Sequence, residues 1–224
     1  MTEKKRNDLN VEREIASFLN ENLYKKPSLF TEFFRTDSKR EQLLGCDLLL
    51  SIPNKGLNRV IVDEKVAANY ANRDLNTFAL EISFIGENGE EKDGWFIDKE
   101  KHTEFYLCGW IRKCDIPYNK EEKKFNTDLI SKENIQIMDW ALVSRKKLLN
   151  LLEEKGWTIE KIIKQKNIIR KNKCIKTNEF INGVSFRYSD YLAEKPINLL
   201  LYKAAYFKVS ECCGIISGKH FNKP

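Results

Sequence analysis

The chain has 224 residues, 42% of them hydrophobic and 32% charged, which is enough apolar material to close one core and enough charge to keep it soluble. A net charge of +6 is mildly basic and does not by itself indicate a polyanion partner. No run approaches the 18 uncharged apolar residues of a membrane span, and no apolar export segment follows the opening MTEKKRNDLN. The six cysteines therefore read as reduced thiols of a cytoplasmic protein.

Val11, Ile15, Phe18 and Leu19 recur at helical spacing and predict an amphipathic helix from about 11 to 23, stopped by Pro27. Ser28 to Arg35 reads as a second short turn of helix, and Asp37 to Glu41 as a polar link. From Leu43 the period becomes that of strands. LLGCDLLLSI and RVIVDEKVA, joined by Pro53, Asn54, Gly56 and Asn58, predict a β-hairpin. TFALEISFI predicts a third strand with Phe78, Leu80, Ile82 and Phe84 on one face, and WFID and TEFYLCGWI predict two more. A sheet of about five strands is thus expected over 43–113.

Ser131 opens an expected helix signalled by Ile135, Met138, Leu142 and Leu149 and ending near Gly156. Thr158 caps a second, with Ile159, Ile162, Ile163 and Ile168 among its apolar positions. The text from Phe180 returns to strand character in GVSFRYSDYL and PINLLLYKAAYFKVS. The fold class is α/β (α+β mixed), one domain over 1–224. Its core covers about 10–113, a basic helical elaboration about 128–176, and closing strands about 180–216. Between Arg145 and Lys176 stand eleven basic residues and three acids, so this window carries the whole positive excess.

Close cysteine pairs occur only as Cys108/Cys114 and Cys212/Cys213, neither spaced as a zinc knuckle. His102 and His220 are the only histidines, each flanked by lysine, which gives poor support to Ser-His-Asp or Cys-His schemes. Carboxylates and lysines are left to carry any chemistry. The informative text is Gly45-Cys46-Asp47, followed across the hairpin by Val62-Asp63-Glu64-Lys65. Side chains alternate on a strand, so Asp63 and Lys65 share a face opposite Val60, Val62 and Val66, and antiparallel pairing can bring Asp47 across from Asp63. Were Glu64 to face the site instead, Lys65 would point away. Two carboxylates near a lysine suit Mg²⁺ or Mn²⁺. A cation held by Asp47 and Asp63 would acidify a water and stabilise charge on a phosphate, with Lys65 positioning the water or neutralising the intermediate. That is phosphodiester hydrolysis.

These residues resemble the PD-(D/E)XK (restriction-endonuclease-like) nuclease superfamily, in which an aspartate on one strand of a hairpin and D/E-x-K on the next lie behind an N-terminal helix. Asp47 matches the first position and Asp63-Glu64-Lys65 the second; Glu14 is the best match for the helix glutamate, with Glu12 behind it. The text Gln42-x-x-Gly45-x-Asp47 with the later GWF and TEFYL also resembles uncharacterised nuclease-like proteins of bacteria and their phages. The resemblance covers roughly residues 10–112, and Cys46 stands where the superfamily carries a proline. It implies a restriction-endonuclease-like mixed sheet and a Mg²⁺-dependent nuclease acting on DNA rather than RNA, with a homodimer as one expected assembly.

Glu81 reads either as a further metal ligand or as a charge on a solvated sheet face. Lys146, Lys147, Lys161, Lys164, Arg170 and Lys171 read as a nucleic-acid grip, with Trp140 and Trp157 as stacking groups, against the plainer reading of a solvated helix face. Trp95, Phe96, Phe105, Tyr106 and Trp110 are expected in the core. The rival class is a catalytically inactive nuclease-fold protein that binds nucleic acid or a protein partner, for example a phage-encoded inhibitor of host defence.

Overall fold

The structure, a computed structural model, describes residues 3–26, 28–173 and 179–218. Along the chain run α1 (Glu3–Leu19), a π-helical turn (Asn20–Tyr24), β1 (Glu32–Arg35), α2 (Lys39–Leu43), β2 (Leu48–Ile52), β3 (Leu57–Val66), β4 (Thr77–Ile85), β5 (Glu91–Asp93) and β6 (Phe105–Cys114). Then follow β7 (Tyr118–Asn119), β8 (Lys124–Phe125), β9 (Ile135–Ser144), α3 (Arg145–Glu154), α4 (Ile159–Asn172), β10 (Val184–Tyr188), β11 (Ile197–Tyr202), α5 (Lys203–Val209) and β12 (Cys212–Ser217). The fold is mixed α/β, as the sequence patterns lead one to expect.

A six-stranded sheet has the order β1-β2-β3-β6-β9-β12, with β3 and β6 parallel and every other neighbour antiparallel. A four-stranded antiparallel sheet has the order β10-β11-β4-β5. The large sheet is apolar on both faces, and each face belongs to its own core. On one side Val62, Leu107, Met138 and Leu142 pack with Val11, Ile15, Phe18 and Leu19 of α1. On the other, Tyr106, Cys108, Trp110, Ala141 and Val143 pack with Phe78, Leu80 and Ile82 of β4, Leu199 and Leu201 of β11, and Leu148, Leu152, Ile162 and Ile169 of α3 and α4. Each fully buried aliphatic side chain contributes about 1.5–3 kcal/mol, so both faces of the sheet are heavily stabilised.

Several expectations are corrected. Residues 135–144 form β9 between β6 and β12, where the spacing predicts a helix. Central strands buried on both faces read as near-continuous apolar runs, and the spacing of Ile135, Met138 and Leu142 fits a helix equally well. The helical part therefore begins only at Arg145, and the segment is core rather than elaboration. SLFTEFFR contributes an edge strand, β1, and the polar link contains the short helix α2, whose first turn is capped by Ser38. WFID is a turn, its neighbour Glu91–Asp93 is the strand, and TFALEISFI lies in the second sheet rather than beside the hairpin. KAAYFKV is helical as α5. The capping of α4 by Thr158 is as expected, its Oγ1 accepting the Lys161 N–H at 3.3 Å. Gly156, at φ +80°, makes the turn between α3 and α4.

Pro27, Cys174, Lys176 and His220 lie outside the described residues. The five described cysteines are unbonded. No helix among the described residues is long and apolar enough to cross a membrane.

Candidate active site

The site grows from the β2–β3 hairpin. Leu48 pairs with Val62 and Leu50 with Val60, so Asp47, one residue before β2, falls opposite Asp63. The Asp47 N–H donates to the Val62 carbonyl at 3.0 Å, and its Oδ2 accepts the Glu64 N–H at 2.7 Å. Val62 is buried on the α1 side, while Asp63 and Lys65 point to the other. Lys65 Nζ donates to Asp63 Oδ1 at 2.6 Å, with the Asp63 side chain 3% exposed and that of Lys65 28% exposed. Lys65 also lies 5.3 Å from the ring centroid of Trp95. Trp95, expected in the core, is only partly buried and borders this lysine.

Four carboxylates converge electrostatically on this one ammonium. Burial works against the Lys65 charge, but Asp63 and Asp47 outweigh it, and Glu12 adds to them, so its pKa is raised. Burial and the neighbouring Asp63 lift Asp47 to about 7, with Lys65 and the Glu64 N–H opposing. Burial and Glu194 lift Glu81 to about 7, against Lys65, the Trp95 N–H and Lys101. Glu12 is raised by the protein around it, offset by Lys65. Such crowding of negative charge is relieved by protons or by cations.

The two glutamates of the opening helix have different surroundings. Glu14 Oε2 accepts the Lys132 N–H at 2.9 Å and ties α1 to the segment before β9, whereas Glu12 is the one coupled to Lys65. Residues two apart on a helix point about 200° apart, so only one of the pair can face the strand. Glu81, in a different sheet from the hairpin, does come within electrostatic reach of Lys65, on the β4 face opposite Leu80 and Ile82.

Glu64 occupies the α1 side of β3, and there it is fully engaged. Arg35 holds it in a bidentate pair at 2.7 and 2.9 Å, and Tyr24 Oη donates to it at 2.6 Å. Arg35 also donates to Asn20 Oδ1 at 2.7 Å and to the Ala16 carbonyl at 3.1 Å. This network locks α1, β1 and β3 together and sets the register that turns Asp63 and Lys65 to the other face. Arg35 carries no sequence signal because its segment reads as helix, and the partner is 29 residues away.

Part of the basic window is already engaged within the chain. Arg170 donates to Glu91, to the Lys195 carbonyl and to Ser83, Lys147 pairs with Glu211 at 2.7 Å, and Lys161 donates to the Gly156 carbonyl at 2.8 Å. Lys146, Lys164 and Lys171 are exposed and form no ion pair among the described residues. Trp140 is 3% exposed in the α1-side core, and Trp157 packs on Phe186 and donates to the Ile181 carbonyl. Trp140 therefore offers no stacking face. Gln42 donates to the Thr36 carbonyl, the plain end-of-turn role.

Among the described residues, no three carboxylate, histidine or cysteine groups stand close enough to form a ready-made metal cage. The donors present are nonetheless the hard oxygens that Mg²⁺ and Mn²⁺ prefer, with several carboxylates gathered around Lys65. No family model, curated protein or solved structure matches the chain.

Proposed function

We propose that the chain is a Mg²⁺- or Mn²⁺-dependent nuclease of the PD-(D/E)XK type, acting on DNA. The observation that carries the reading is the Asp63–Lys65 contact of 2.6 Å with Asp47 tied to the same three residues of β3. Asp47 and Asp63 would hold the metal with Glu81 completing the oxygen set, and the bound metal would polarise a phosphate oxygen and acidify a water. Lys65, kept charged by its neighbours, orients the nucleophile or offsets charge developing on the phosphate, and is unsuited to act as a base. Without metal, burial and neighbouring carboxylates lift Asp47 and Glu81 to about 7, a crowding that a bound cation would relieve. Glu12 approaches from α1 and tunes the same ammonium. The partly buried Trp95 walls Lys65 on one side.

A second reading, a nuclease-fold protein that binds nucleic acid or a protein without cutting, is favoured by one observation: Asp63 is already satisfied by Lys65, and no three ligands are assembled among the described residues. Calorimetric titration of Mn²⁺ into wild type and Asp47→Asn separates the two. The nuclease reading expects binding that the substitution weakens at least tenfold; absence of binding in wild type favours the second.

A further inference from the structure

Three consecutive hydrogen bonds fasten the turn before β2 to the segment before β6. Lys101 Nζ donates to the Leu43 carbonyl at 2.5 Å, the His102 N–H to the Leu44 carbonyl at 2.8 Å, and Thr103 Oγ1 to the Gly45 carbonyl at 3.0 Å. Gly45 makes this approach feasible. Its φ is +78°, and a Cβ there would stand 2.1 Å from Thr103 Oγ1. That same point lies 3.5 Å from Asp63 Oδ2 and 3.5 Å from Lys101 Cδ. Asp63 therefore has Lys65 on its Oδ1, while its Oδ2 faces Gly45, the turn that the Lys101 stem also borders. Arg145, at the start of α3, steadies this wall by donating to the carbonyls of Phe96, Asp98 and Lys101.

Lys101 forms no ion pair among the described residues. Its one hydrogen bond goes to a neutral carbonyl of Leu43, a residue 66% exposed, so water can take over that carbonyl at little cost. A charge-assisted bond to phosphate is roughly twice as strong as a neutral one. The ammonium also lies within electrostatic reach of Glu81, on the same rim as the other carboxylates. By contrast, Arg170 and Lys147 of the basic helices are already paired with carboxylates.

We propose that Lys101 contacts a backbone phosphate of the nucleic acid engaged at the carboxylate cluster, approaching from the Gly45 turn. The inference rests on reading that cluster as a phosphodiester site, and it assigns the grip to the 99–103 segment as well as to the helices.

Anisotropy titration of a fluorescent DNA duplex in EDTA, repeated over a range of salt, tests it with wild type, Lys101→Met and Lys101→Arg. Each phosphate contact contributes about 0.9 to the slope of log affinity against log salt. Lys101→Met is expected to lower the slope by about that amount, with Lys101→Arg restoring it. A residue that served only as a staple would lower the melting temperature and leave the slope alone. Coincident slopes for wild type and Lys101→Met, or wild-type binding that ignores salt, overturn the inference. Parallel cleavage assays with Mg²⁺ keep the two claims apart. Cleavage with coincident slopes removes the role of Lys101 alone, while a changed slope without cleavage removes hydrolysis and leaves the phosphate contact standing.

Discussion

The crowding of carboxylates around Lys65 has a consequence for stability that needs no substrate. Asp47 rises from 3.8 to about 7 and Glu81 from 4.5 to about 7 on folding. Between those limits the folded chain holds protons that the unfolded chain releases, so stability is greatest at low pH within this window and falls as pH rises from about 4 to 7. A tenfold difference in proton affinity is worth about 1.4 kcal/mol, which sets a ceiling of about 4 kcal/mol for Asp47 and about 3 for Glu81. Both side chains retain some contact with solvent, and screening reduces the pair to about 3–4 kcal/mol, roughly 10 °C in melting temperature for a chain of this size. Asp47→Asn removes the ionisation. In EDTA it is therefore expected to come closest to wild type near pH 4, to pull ahead progressively above that, and to exceed it in stability at pH 8 by about 2 kcal/mol. Metal should reverse the ranking: at a hundredfold excess over its dissociation constant it stabilises wild type by about 2.7 kcal/mol and the variant far less. Urea unfolding at a series of pH values, with EDTA and with Mg²⁺, measures this directly. If Asp47→Asn runs parallel to wild type at every pH, the electrostatic account of the cluster is refuted.

Arg35→Ala strands the Glu64 carboxylate, 11% exposed, with Tyr24 as its remaining side-chain donor, and is expected to cost about 3–5 kcal/mol in urea unfolding. The paired change Arg35→Met with Glu64→Leu should cost clearly less; an equal or larger loss would show that the ion pair is not the cause. Glu12→Gln is expected to change the rate or pH profile of metal-dependent cleavage while Glu14→Ala alters only stability, by about 1 kcal/mol, through the lost Lys132 N–H contact. Gly45→Ala combines a positive φ with a 2.1 Å contact and is expected to destabilise by at least about 2 kcal/mol. Wild-type stability in that variant would mean that the turn does not lie against Thr103 as described.

The hairpin and its carboxylate geometry are legible in the sequence because two rules coincide there. Alternation sets the faces of β3, and antiparallel pairing of the hairpin can bring Asp47 across to Asp63, although the register shift between Leu50 and Ile52 is not written in the pattern. The rest depends on information that local pattern does not contain. β9 reads as helix because burial on both faces erases the period that tells strand from helix. The choice of Glu12 over Glu14 needs the rotation of α1 about its axis, which the Arg35–Glu64 network and the core settle together. Glu81 stands on the expected face of its strand, yet its approach to Lys65 depends on how a second sheet packs against the first. Arg170 reads as a free cation because its partners Glu91 and Ser83 lie 79 and 87 residues away.

The most direct test of the central claim is single-turnover cleavage of plasmid and oligonucleotide DNA with Mg²⁺ or Mn²⁺, comparing wild type with Asp63→Ala and Lys65→Ala at matched folded concentration. Loss of a preorganised charged group at such a site costs about 10²–10³ in rate. The account expects metal-dependent cleavage by wild type and at least that loss in each variant. Cleavage unaltered by both substitutions, or none by a wild-type protein that is folded and metal-replete, would contradict it.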